Sequence, residues 1–556
     1  MLLNMIKFAH FILVLFFVFP LFAQPVEITP SANEKPRLVI GIVVDQMRYD
    51  YLTRFWHRYE EGGFKRLINR GYNFKNAHFN YIPTYTAPGH ASVFTGTTPQ
   101  NHGIIGNNWY NKFEKKDVYN AGDDNVNPVG TSSSAGKMSP HRMTSTTVAD
   151  ENRLFTQMRG KTIGIGIKDR GAILPAGHTA NAAYWFPGQN EGKWITSTFY
   201  MNELPSWVKD FNNSGKAASY LKPWNTLYDI ETYTESGPDK NTFEGGFKGQ
   251  TTFPYDLNKL ADPENKFEMV KLSAYGNDFT TDFAIAAIEG ENLGQDEYTD
   301  FLTLSYSSPD YIGHNFGVNS KEVQDTYLRL DKDLARFLTY LDGKVGEGNY
   351  TIFLTSDHGG VDVPSYTSSL KIPGGYFNNS EFREKLKTYV EEEFDEKDLI
   401  EMVSNYQIFF NYQALRNADI SPAILENSIA HFVLQYPQVS NVFTRTQLQS
   451  GSFNTGTAYL IQNGFNQKRS GDVIMVLKPA VITYSETGST HGSGFSYDTH
   501  APMIFYGNGI PQGSSLQRAE IIDIAPTISA LLGISNPNAA TGQPLHIMLD
   551  QQKEKN

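Results

Sequence analysis

Three apolar runs, far apart in the chain, are each followed within a few residues by acidic or histidine side chains. They are Arg37–Val44 with Asp45, Phe301–Leu304 with Asp310 and His314, and Tyr350–Leu354 with Asp357 and His358. Uninterrupted apolar runs of this kind predict buried parallel strands. An open α/β sheet binds its ligands at the carboxyl ends of such strands. The pattern therefore requires distant parts of the chain to meet in one sheet.

The polar residues after these runs are side chains that bind zinc well. Carboxylate oxygen and neutral imidazole nitrogen are both common zinc ligands. Asp310 and His314 stand four residues apart, so they share one face of a helical turn, and Gly313 is expected to leave room for an ion between them. One such pair alone is usually an ordinary surface pair, and Asp45 alone could equally cap a turn. Three such groups at predicted strand ends indicate a metal centre.

The segment Thr84–Gly96 predicts a turn that leads into a short helix. Pro88 suits the first helical turn, and Gly96 suits the end of the helix. Thr86 is therefore expected at the N-cap or just before it, where its hydroxyl would face free backbone amides that favour a phosphate group. A threonine in this place is otherwise an ordinary helix cap.

In this order the motifs resemble the alkaline phosphatase superfamily, most closely its PafA-type, phosphate-irrepressible members from flavobacterial relatives. The resemblance extends from the strand at Arg37 through Gly63–Gly71 to Asp523–Ile534. It implies that Thr86 is a nucleophile that forms a phosphothreonine intermediate, and that two Zn²⁺ ions are bound. It also implies the ligands: Asp45, Asp357 and His358 for one zinc, and Asp310, His314 and a late histidine for the other.

Two histidines could complete the second zinc site. His491 is favoured, because the family has a His-Gly pair at this place, whereas His500 opens the predicted strand Pro502–Tyr506. We expect His90 and His102 to be structural histidines near the site.

Three further residues resemble the family's phosphate-binding groups. Asn107 matches its asparagine, although an asparagine here could simply be a turn residue. Lys168 and Arg170 follow another apolar strand, and on an extended segment their side chains would point the same way. A surface charge pair is the default interpretation, but solvated charges are costly on a mostly buried strand. Two Zn²⁺ and three aspartates leave one positive charge, and the two cations raise it to three, which suits a dianionic phosphate monoester.

Three functions compete on this evidence. The leading one is a zinc-dependent phosphate monoester hydrolase of broad specificity, an alkaline phosphatase acting on small molecules. A nucleotide phosphodiesterase or pyrophosphatase would share Thr86 and both zinc sites, but Lys168 and Arg170 favour the monoesterase. A catalytically silent zinc- or phosphate-binding module is disfavoured because the nucleophile is present. Sulfatase and phosphonate hydrolase functions are supported even less, since the Cys-or-Ser-x-Pro-x-Arg pattern is missing.

The amino terminus resembles a secretory signal peptide over residues 1–23. Lys7 precedes the apolar core Phe8–Phe22, and Ala23 offers a cleavage site. An uncleaved anchor is the alternative, although the segment is short for a membrane span. We expect a periplasmic or secreted protein without a stable membrane anchor after cleavage. The lack of cysteine excludes disulfides and a lipid-modified cysteine, and the net charge of −12 argues against a nucleic acid partner.

The ligand candidates span so much of the chain that most of it must return to one sheet. We predict one doubly wound, mostly parallel α/β domain over residues 24–549, flanked by helices and followed by a polar tail over 550–556. Insertions are expected at about 180–263 and 364–471. The first is rich in aromatic residues, which would form a small core or roof the active site. The second should contain an amphipathic helix near Ser380–Glu393 and a strand at Gln407–Tyr412.

Overall fold

Residues 35–553 are described by the computed structural model, with side chains as far as residue 551. The predicted signal peptide and residues 554–556 of the predicted tail lie outside this range. The described residues from Lys35 onward belong to one compact unit. In this part of the chain, no helix is both long enough and apolar enough to cross a bilayer.

A central sheet of eight strands and a second sheet of four form the β-structure of the main framework. In chain order the twelve strands are β1 Leu38–Val44, β2 Tyr72–Phe74, β3 Thr162–Gly166, β4 Ala182–Trp185, β5 Asp300–Tyr306, β6 Tyr350–Thr355, β7 Ile400–Ser404, β8 Gln407–Phe410, β9 Val439–Thr444, β10 Val473–Leu477, β11 Met503–Gly507 and β12 Gly513–Ser515.

The central sheet has the order β12-β2-β11-β6-β1-β5-β3-β4 and is mostly parallel. Only β11 runs antiparallel to its neighbours among these strands. Val44 is paired with Tyr306, and Val43 is paired with Thr355. The carboxyl ends of β1, β5 and β6 are therefore level at one edge of the sheet.

The longer helices pack on both faces of this sheet and around it. Those of eight or more residues in the described range are α1 Thr86–Thr95, α2 Val148–Phe155, α3 Asp169–Ala176, α4 Ser206–Asn213, α5 Tyr275–Glu291, α6 Ser308–Phe316, α7 Lys321–Leu341, α8 Asn379–Phe394, α9 Pro422–Leu434, α10 Gly456–Gly464, α11 Ile524–Leu532 and α12 His546–Lys553.

Two hydrophobic cores lie on opposite faces of the sheet, and β1 contributes to both. The even-numbered residues from Leu38 to Val44 enter one core together with α5 and α7. Val39 and Val43 enter the other together with α1 and α11. Successive side chains of a strand point to opposite faces, so β1 is buried on both sides, as its apolar run predicts. The predicted doubly wound, mostly parallel α/β fold is confirmed.

Gly41 in the middle of β1 is required by the packing of α1 on the sheet. A Cβ there would overlap the ring of Phe353 and lie 2.8 Å from the ring of Phe94. We expect Gly41→Ala to destabilise the protein by about 1–3 kcal/mol, because a fully packed core has no space for an added methyl group. The urea unfolding midpoint measures the effect. Gly375→Ala is the control, since a Cβ at Gly375 meets no atom within 4 Å and should change the midpoint little.

The second predicted insertion contains the four-stranded sheet and has its own core. The strands pair antiparallel in the order β7-β8-β10-β9. Their core includes residues of α8 and α9. The helix expected near Ser380–Glu393 is α8, and the strand expected at Gln407–Tyr412 is β8. The unit continues past the predicted boundary at residue 471, because β10 pairs with both β8 and β9.

The first predicted insertion differs more from the expectation. Its first residues form β4, an edge strand of the central sheet. Trp194 and Trp224 are fully buried in the same core as β1, so these two aromatic residues pack against the main fold and not in a separate small core. Trp194 stacks on Phe283 of α5 at a centroid distance of 4.3 Å. Because α5 also covers the sheet, the segment joins the main core.

The sequence predicts a polar tail over 550–556, and the structure shows that the first part of this segment is helical. The helix α12 continues to Lys553. Met548 is fully buried and packs in the core that contains α1 and α11. The buried Met548 holds α12 against the core, so the helix continues into the polar segment.

Candidate active site

Thr86 is the first residue of α1, one position later than its predicted place at or before the N-cap. The N-cap is Tyr85, which has an extended backbone. The helix ends at Gly96 in the left-handed conformation, as predicted. The Thr86 side chain is buried, and its Oγ1 lies 3.4 Å from Nε2 of His358. The start of α1 thus meets the loop that follows β6.

Gly89 allows α1 to pack directly on that loop. A Cβ at Gly89 would overlap the Asp357 carbonyl oxygen and lie 2.7 Å from the Asp357 Cβ. The next residue, His90, directs Nδ1 to Thr86 O at 2.9 Å and lies 3.3 Å from Asp357 Oδ2. Its Nε2 is 2.9 Å from Ser305 Oγ. His90 therefore links the helix of Thr86 to β5 and to the loop after β6.

Asp45, Asp357 and His358 form the first group of possible metal ligands. Asp45 directly follows β1, and the other two residues follow β6. Nε2 of His358 lies 3.5 Å from Asp45 Oδ1 and 3.4 Å from Asp357 Oδ2. All three side chains are fully buried, and one ligand atom of each lies within 4.8 Å of the others. The level ends of β1 and β6 bring them together.

Asp310, His314 and His491 form a second group beside the first. Asp310 Oδ1 lies 3.2 Å from Nε2 of His314 and 3.6 Å from Nε2 of His491. His314 directs Nδ1 to Ser489 O at 2.7 Å. The rings of His358 and His491 stack with a centroid distance of 3.4 Å. Ligand atoms of Asp310, His358 and His491 also lie within 4.8 Å of one another, so the two groups adjoin.

The hydrogen bonds of two imidazoles leave lone pairs that face carboxylates. Nδ1 of His358 donates to Gly359 O, and Nδ1 of His491 donates to Thr84 O, both at 2.8 Å. A carbonyl oxygen only accepts, so each Nδ1 carries the proton. Burial lowers the pKa of both histidines, which keeps Nε2 unprotonated. These lone pairs point to carboxylate oxygens, and two acceptors repel unless a cation lies between them.

Two carboxylate oxygens at the site also have no hydrogen-bond donor. Asp45 Oδ1 and Asp357 Oδ2 are buried and receive no hydrogen bond. Near Asp357 Oδ2, Nδ1 of His90 is directed to the carbonyl oxygen of Thr86. Burial and the charge of Asp357 raise the pKa of Asp45 well above its usual value. A divalent cation would supply the missing partner for both oxygens and favour the ionised form of Asp45. The carboxylate and imidazole donors fit zinc.

The structure separates the two candidates for the last ligand. His491 lies against Asp310, whereas Nε2 of His500 is 3.0 Å from the carbonyl oxygen of Lys75. His500 also stacks between the rings of Tyr49 and His78. His500 lies just before β11 and contacts Lys75 and His78, away from the ligand group of Asp310. His102 is also buried and lies 3.0 Å from Ser92 Oγ on α1.

Lys168 and Arg170 do not share one extended segment, contrary to the prediction. β3 ends at Gly166, Lys168 is the N-cap of α3, and Arg170 is within that helix. Lys168 pairs with Asp310 and lies 2.7 Å from Asp45 Oδ2, so it joins both ligand groups. Burial opposes its charge, but these carboxylates raise its pKa above the usual value.

Arg170 and Asn107 contact neighbouring polar groups. Nη1 of Arg170 donates to the Tyr119 hydroxyl at 3.2 Å. The side-chain carbonyl of Asn107 accepts from the backbone N–H of Ala87 at 2.9 Å. Asn107 therefore satisfies one of the free amides at the start of α1.

Two residues of the site gave no recognisable signal in the sequence. Gln46 hydrogen-bonds to Asp310, and its Oε1 occupies the space that a Cβ on Gly313 would take. Gly313 therefore makes room for Gln46, not for an ion. Asp498 accepts from the backbone N–H groups of Gly492 at 3.1 Å and Ser493 at 2.7 Å. It holds the loop that carries His491, and burial raises its pKa to about 7.

Comparison with known proteins gives strong matches over most of the chain. The model of the family "Type I phosphodiesterase / nucleotide pyrophosphatase" matches residues 39–501. Alkaline phosphatase PafA of Elizabethkingia meningoseptica is 44% identical, covering 93% of this chain and 95% of the relative. A Myroides odoratus protein named calcium-transporting ATPase is 43% identical, with coverages of 93% and 95%.

Two further matches support the same relationship. Alkaline phosphatase PhoV of Synechococcus elongatus is 43% identical, and the match covers 95% of each chain. The crystal structure of wild-type alkaline phosphatase PafA is similar with a TM-score of 0.89 and 42% identity, covering 93% of this chain and 99% of that chain. The residues matched by the family model, 39–501, include every candidate ligand from Asp45 to His491.

Proposed function

The chain belongs to the type I phosphodiesterase / nucleotide pyrophosphatase family, and on this premise we propose that it is an alkaline phosphatase that hydrolyses phosphate monoesters of small molecules. Its identity of 43–44% to two alkaline phosphatases supports this activity within the family. Thr86 and the two ligand groups around His358 would form the catalytic centre.

The observation that carries this proposal is the orientation of the imidazoles. His358 and His491 each donate Nδ1–H to a backbone carbonyl and direct an unprotonated Nε2 toward a carboxylate. Backbone hydrogen bonds of this type fix the tautomer of metal-binding histidines. We assign Asp45, Asp357 and His358 to one Zn²⁺, and Asp310, His314 and His491 to the other.

In the proposed reaction, the Thr86 hydroxyl gives its proton to solvent and its Oγ forms a bond to phosphorus, while the bond from phosphorus to the leaving oxygen breaks and that oxygen takes up a proton from solvent. Water then attacks the phosphothreonine, releases inorganic phosphate and restores the hydroxyl. Two zinc ions, when bound, would activate the nucleophile and stabilise charge on the leaving oxygen. Thr86 is suited to the role because it is fixed at the start of α1 and lies 3.4 Å from His358.

Three residues would bind the transferred phosphoryl group. Its loose transition state spreads charge over three equatorial oxygens, which fixed donors and cations can stabilise. Asn107 lies at the start of α1, and its amide nitrogen would donate to one oxygen. Lys168 and Arg170 supply positive charge on the neighbouring helix α3. Lys168 pairs with Asp45 and Asp310 in this structure, and Zn²⁺ on those carboxylates would compete for them and free the ammonium for phosphate.

The family description favours one alternative, hydrolysis of nucleotide diesters or pyrophosphates. Such an enzyme would use Thr86 and the same two ligand groups. The two activities differ in the charge of the substrate, because a monoester carries one more negative charge than a diester. The cations at residues 168 and 170 therefore favour the monoester.

We expect the protein to bind two zinc ions about 4 Å apart and to lose its activity when they are removed. Chelation should abolish hydrolysis of a chromogenic aryl phosphate, and added Zn²⁺ should restore it. His491→Ala should lower the zinc content from two to one per chain, because it removes one of three ligands from a site. Elemental analysis of the dialysed protein measures the content.

His500→Ala is the matched control, and it should retain both zinc ions. Full activity in metal-free protein would contradict the proposed centre. If His500→Ala loses one zinc ion and His491→Ala loses none, His500 is the zinc ligand and His491 is not. Intact zinc binding without hydrolysis of either a monoester or a diester would instead favour a silent binding module.

A further inference from the structure

Gln46 adopts a backbone conformation that non-glycine residues rarely take. Its φ is +62°, in the left-handed region, and the residue is only 2% exposed. The Cβ atom of any residue other than glycine makes this conformation unfavourable, so it persists only where surrounding contacts stabilise it. Gln46 immediately follows Asp45, the member of the first ligand group that comes directly after β1.

Gln46 contacts one carboxylate of each ligand group. Its backbone N–H donates to Asp357 Oδ1 at 3.1 Å, and its side-chain Nε2 donates to Asp310 Oδ1 at 2.8 Å. The next residue, Met47, donates its backbone N–H to Ser356 Oγ at 2.8 Å. The left-handed turn thus directs one donor of the same residue to each half of the centre.

Two glycines provide the space that the Gln46 side chain occupies. A Cβ on Gly313 would overlap Gln46 Oε1, and a Cβ on Gly360 would lie 3.2 Å from Gln46 Cγ. Gly313 lies in α6 between Asp310 and His314, while Gly360 lies beyond β6. The side chain is therefore inserted between the elements that carry the two groups.

We infer that Gln46 is a positioning residue that fixes the carboxylates of Asp310 and Asp357 relative to each other, and with them the two zinc sites. The inference rests on the proposed two-zinc centre. A hydrogen bond to a ligating carboxylate restricts its rotation and so lowers the entropy lost when a metal binds. Outer partners of this kind typically contribute about 10–100-fold to metal affinity.

Replacement of the amide by a side chain of similar length tests the side-chain contact. Gln46→Met removes the donor to Asp310 but keeps the backbone N–H that binds Asp357. Two successive zinc dissociation constants, measured by competition with a chromophoric chelator, separate the two sites. We expect the constant of the Asp310 site to rise about 10–100-fold and the other constant to change by less than about threefold.

A matched variant controls for the substitution itself. Gln157 also has a positive φ, of 53°, but it lies on an exposed loop. Gln157→Met should leave both zinc constants unchanged. The melting temperature of the metal-free protein gives an independent readout. If Gln46 serves only folding, Gln46→Met should lower this melting temperature. If Gln46 positions the metal ligands, Gln46→Met should change the melting temperature by no more than Gln157→Met does.

Gly313→Ala offers a second test through the same contact. Its added methyl group should displace the Gln46 amide and weaken the Asp310 site as Gln46→Met does. In the Gln46→Ala background the steric conflict is absent, so Gly313→Ala should add little further loss. Unchanged zinc affinity in Gln46→Met, or fully additive effects in this double-mutant cycle, would overturn the inference.

The wild-type protein distinguishes failure of this inference from failure of the proposed function. If the wild type binds two zinc ions and hydrolyses the aryl phosphate while Gln46→Met matches it, only the role of Gln46 is refuted. If the wild type binds no zinc at the centre, both proposals are refuted.

Discussion

Thr86→Ala should lower phosphatase turnover by at least about 10³-fold, because it removes the hydroxyl that attacks phosphorus in the proposed covalent step. The variant should still fold and bind zinc, since Thr86 belongs to neither ligand group and alanine is a good helix former. Turnover of an aryl phosphate and zinc content are measured on the same preparation. Acid quenching of the wild-type reaction should yield a phosphothreonine peptide that contains Thr86.

Two variants of the same helix sharpen this test. Thr86→Ser keeps a hydroxyl at the start of α1 and should retain part of the activity. Thr95→Ala, at the other end of α1, removes a buried hydroxyl that donates to Ala91 O and should retain most of the activity. Phosphate trapped on any other residue would refute the assignment of Thr86, and so would undiminished turnover in Thr86→Ala.

Replacing both Lys168 and Arg170 by alanine should reduce the preference for monoesters over diesters by two to four decades. A monoester carries an additional negative charge on the phosphoryl oxygens, so the two cations attract it more strongly than a diester. The change corresponds to about 3–5 kcal/mol at 1.36 kcal/mol per decade. It is obtained from kcat/KM of matched aryl monoesters and diesters.

The controls separate charge from structure. Lys161→Ala removes a lysine just before β3, where its Nζ contacts Glu291, and should leave the preference unchanged. Asn107→Ala should lower kcat/KM for the monoester and the diester more evenly, because the interaction of a neutral amide depends less on the charge of the substrate. Zinc content must be measured as well, since Lys168 pairs with Asp45 and Asp310. Equal loss of both activities at full zinc content would show that the two cations are structural.

Much of the fold could be predicted because a strand that is buried on both faces of a sheet appears in the sequence as an uninterrupted apolar run. The run Arg37–Val44 corresponds to β1, which enters both hydrophobic cores. Strands β5 and β6 were likewise recognisable as apolar runs. The edge strand β4 was assigned to an insertion, because its aromatic residues carry no pattern that distinguishes an edge strand from a separate small core.

The approach of Asp45 and Asp357 was also predictable, since the carboxyl ends of parallel strands meet at one edge of a sheet, whereas the division of the ligands between two zinc sites came from the family resemblance. The conformation around Lys168 was not predictable. An apolar strand followed by two cations suggested an extended segment, but a helix begins at residue 169. Periodicity over two or three residues cannot determine where a strand gives way to a helix, because that boundary depends on packing with other elements.

The sequence by itself determined which residue types lie at the carboxyl edge of the sheet, because the position of each buried strand in the chain follows from a local apolar pattern. The tertiary structure alone decided which histidine faces Asp310, which carboxylates Lys168 joins, and that Gln46 contacts both ligand groups. These contacts depend on distances between residues separated by more than a hundred positions in the chain. Such distances are set by the packing of several elements at once, and no local pattern contains them.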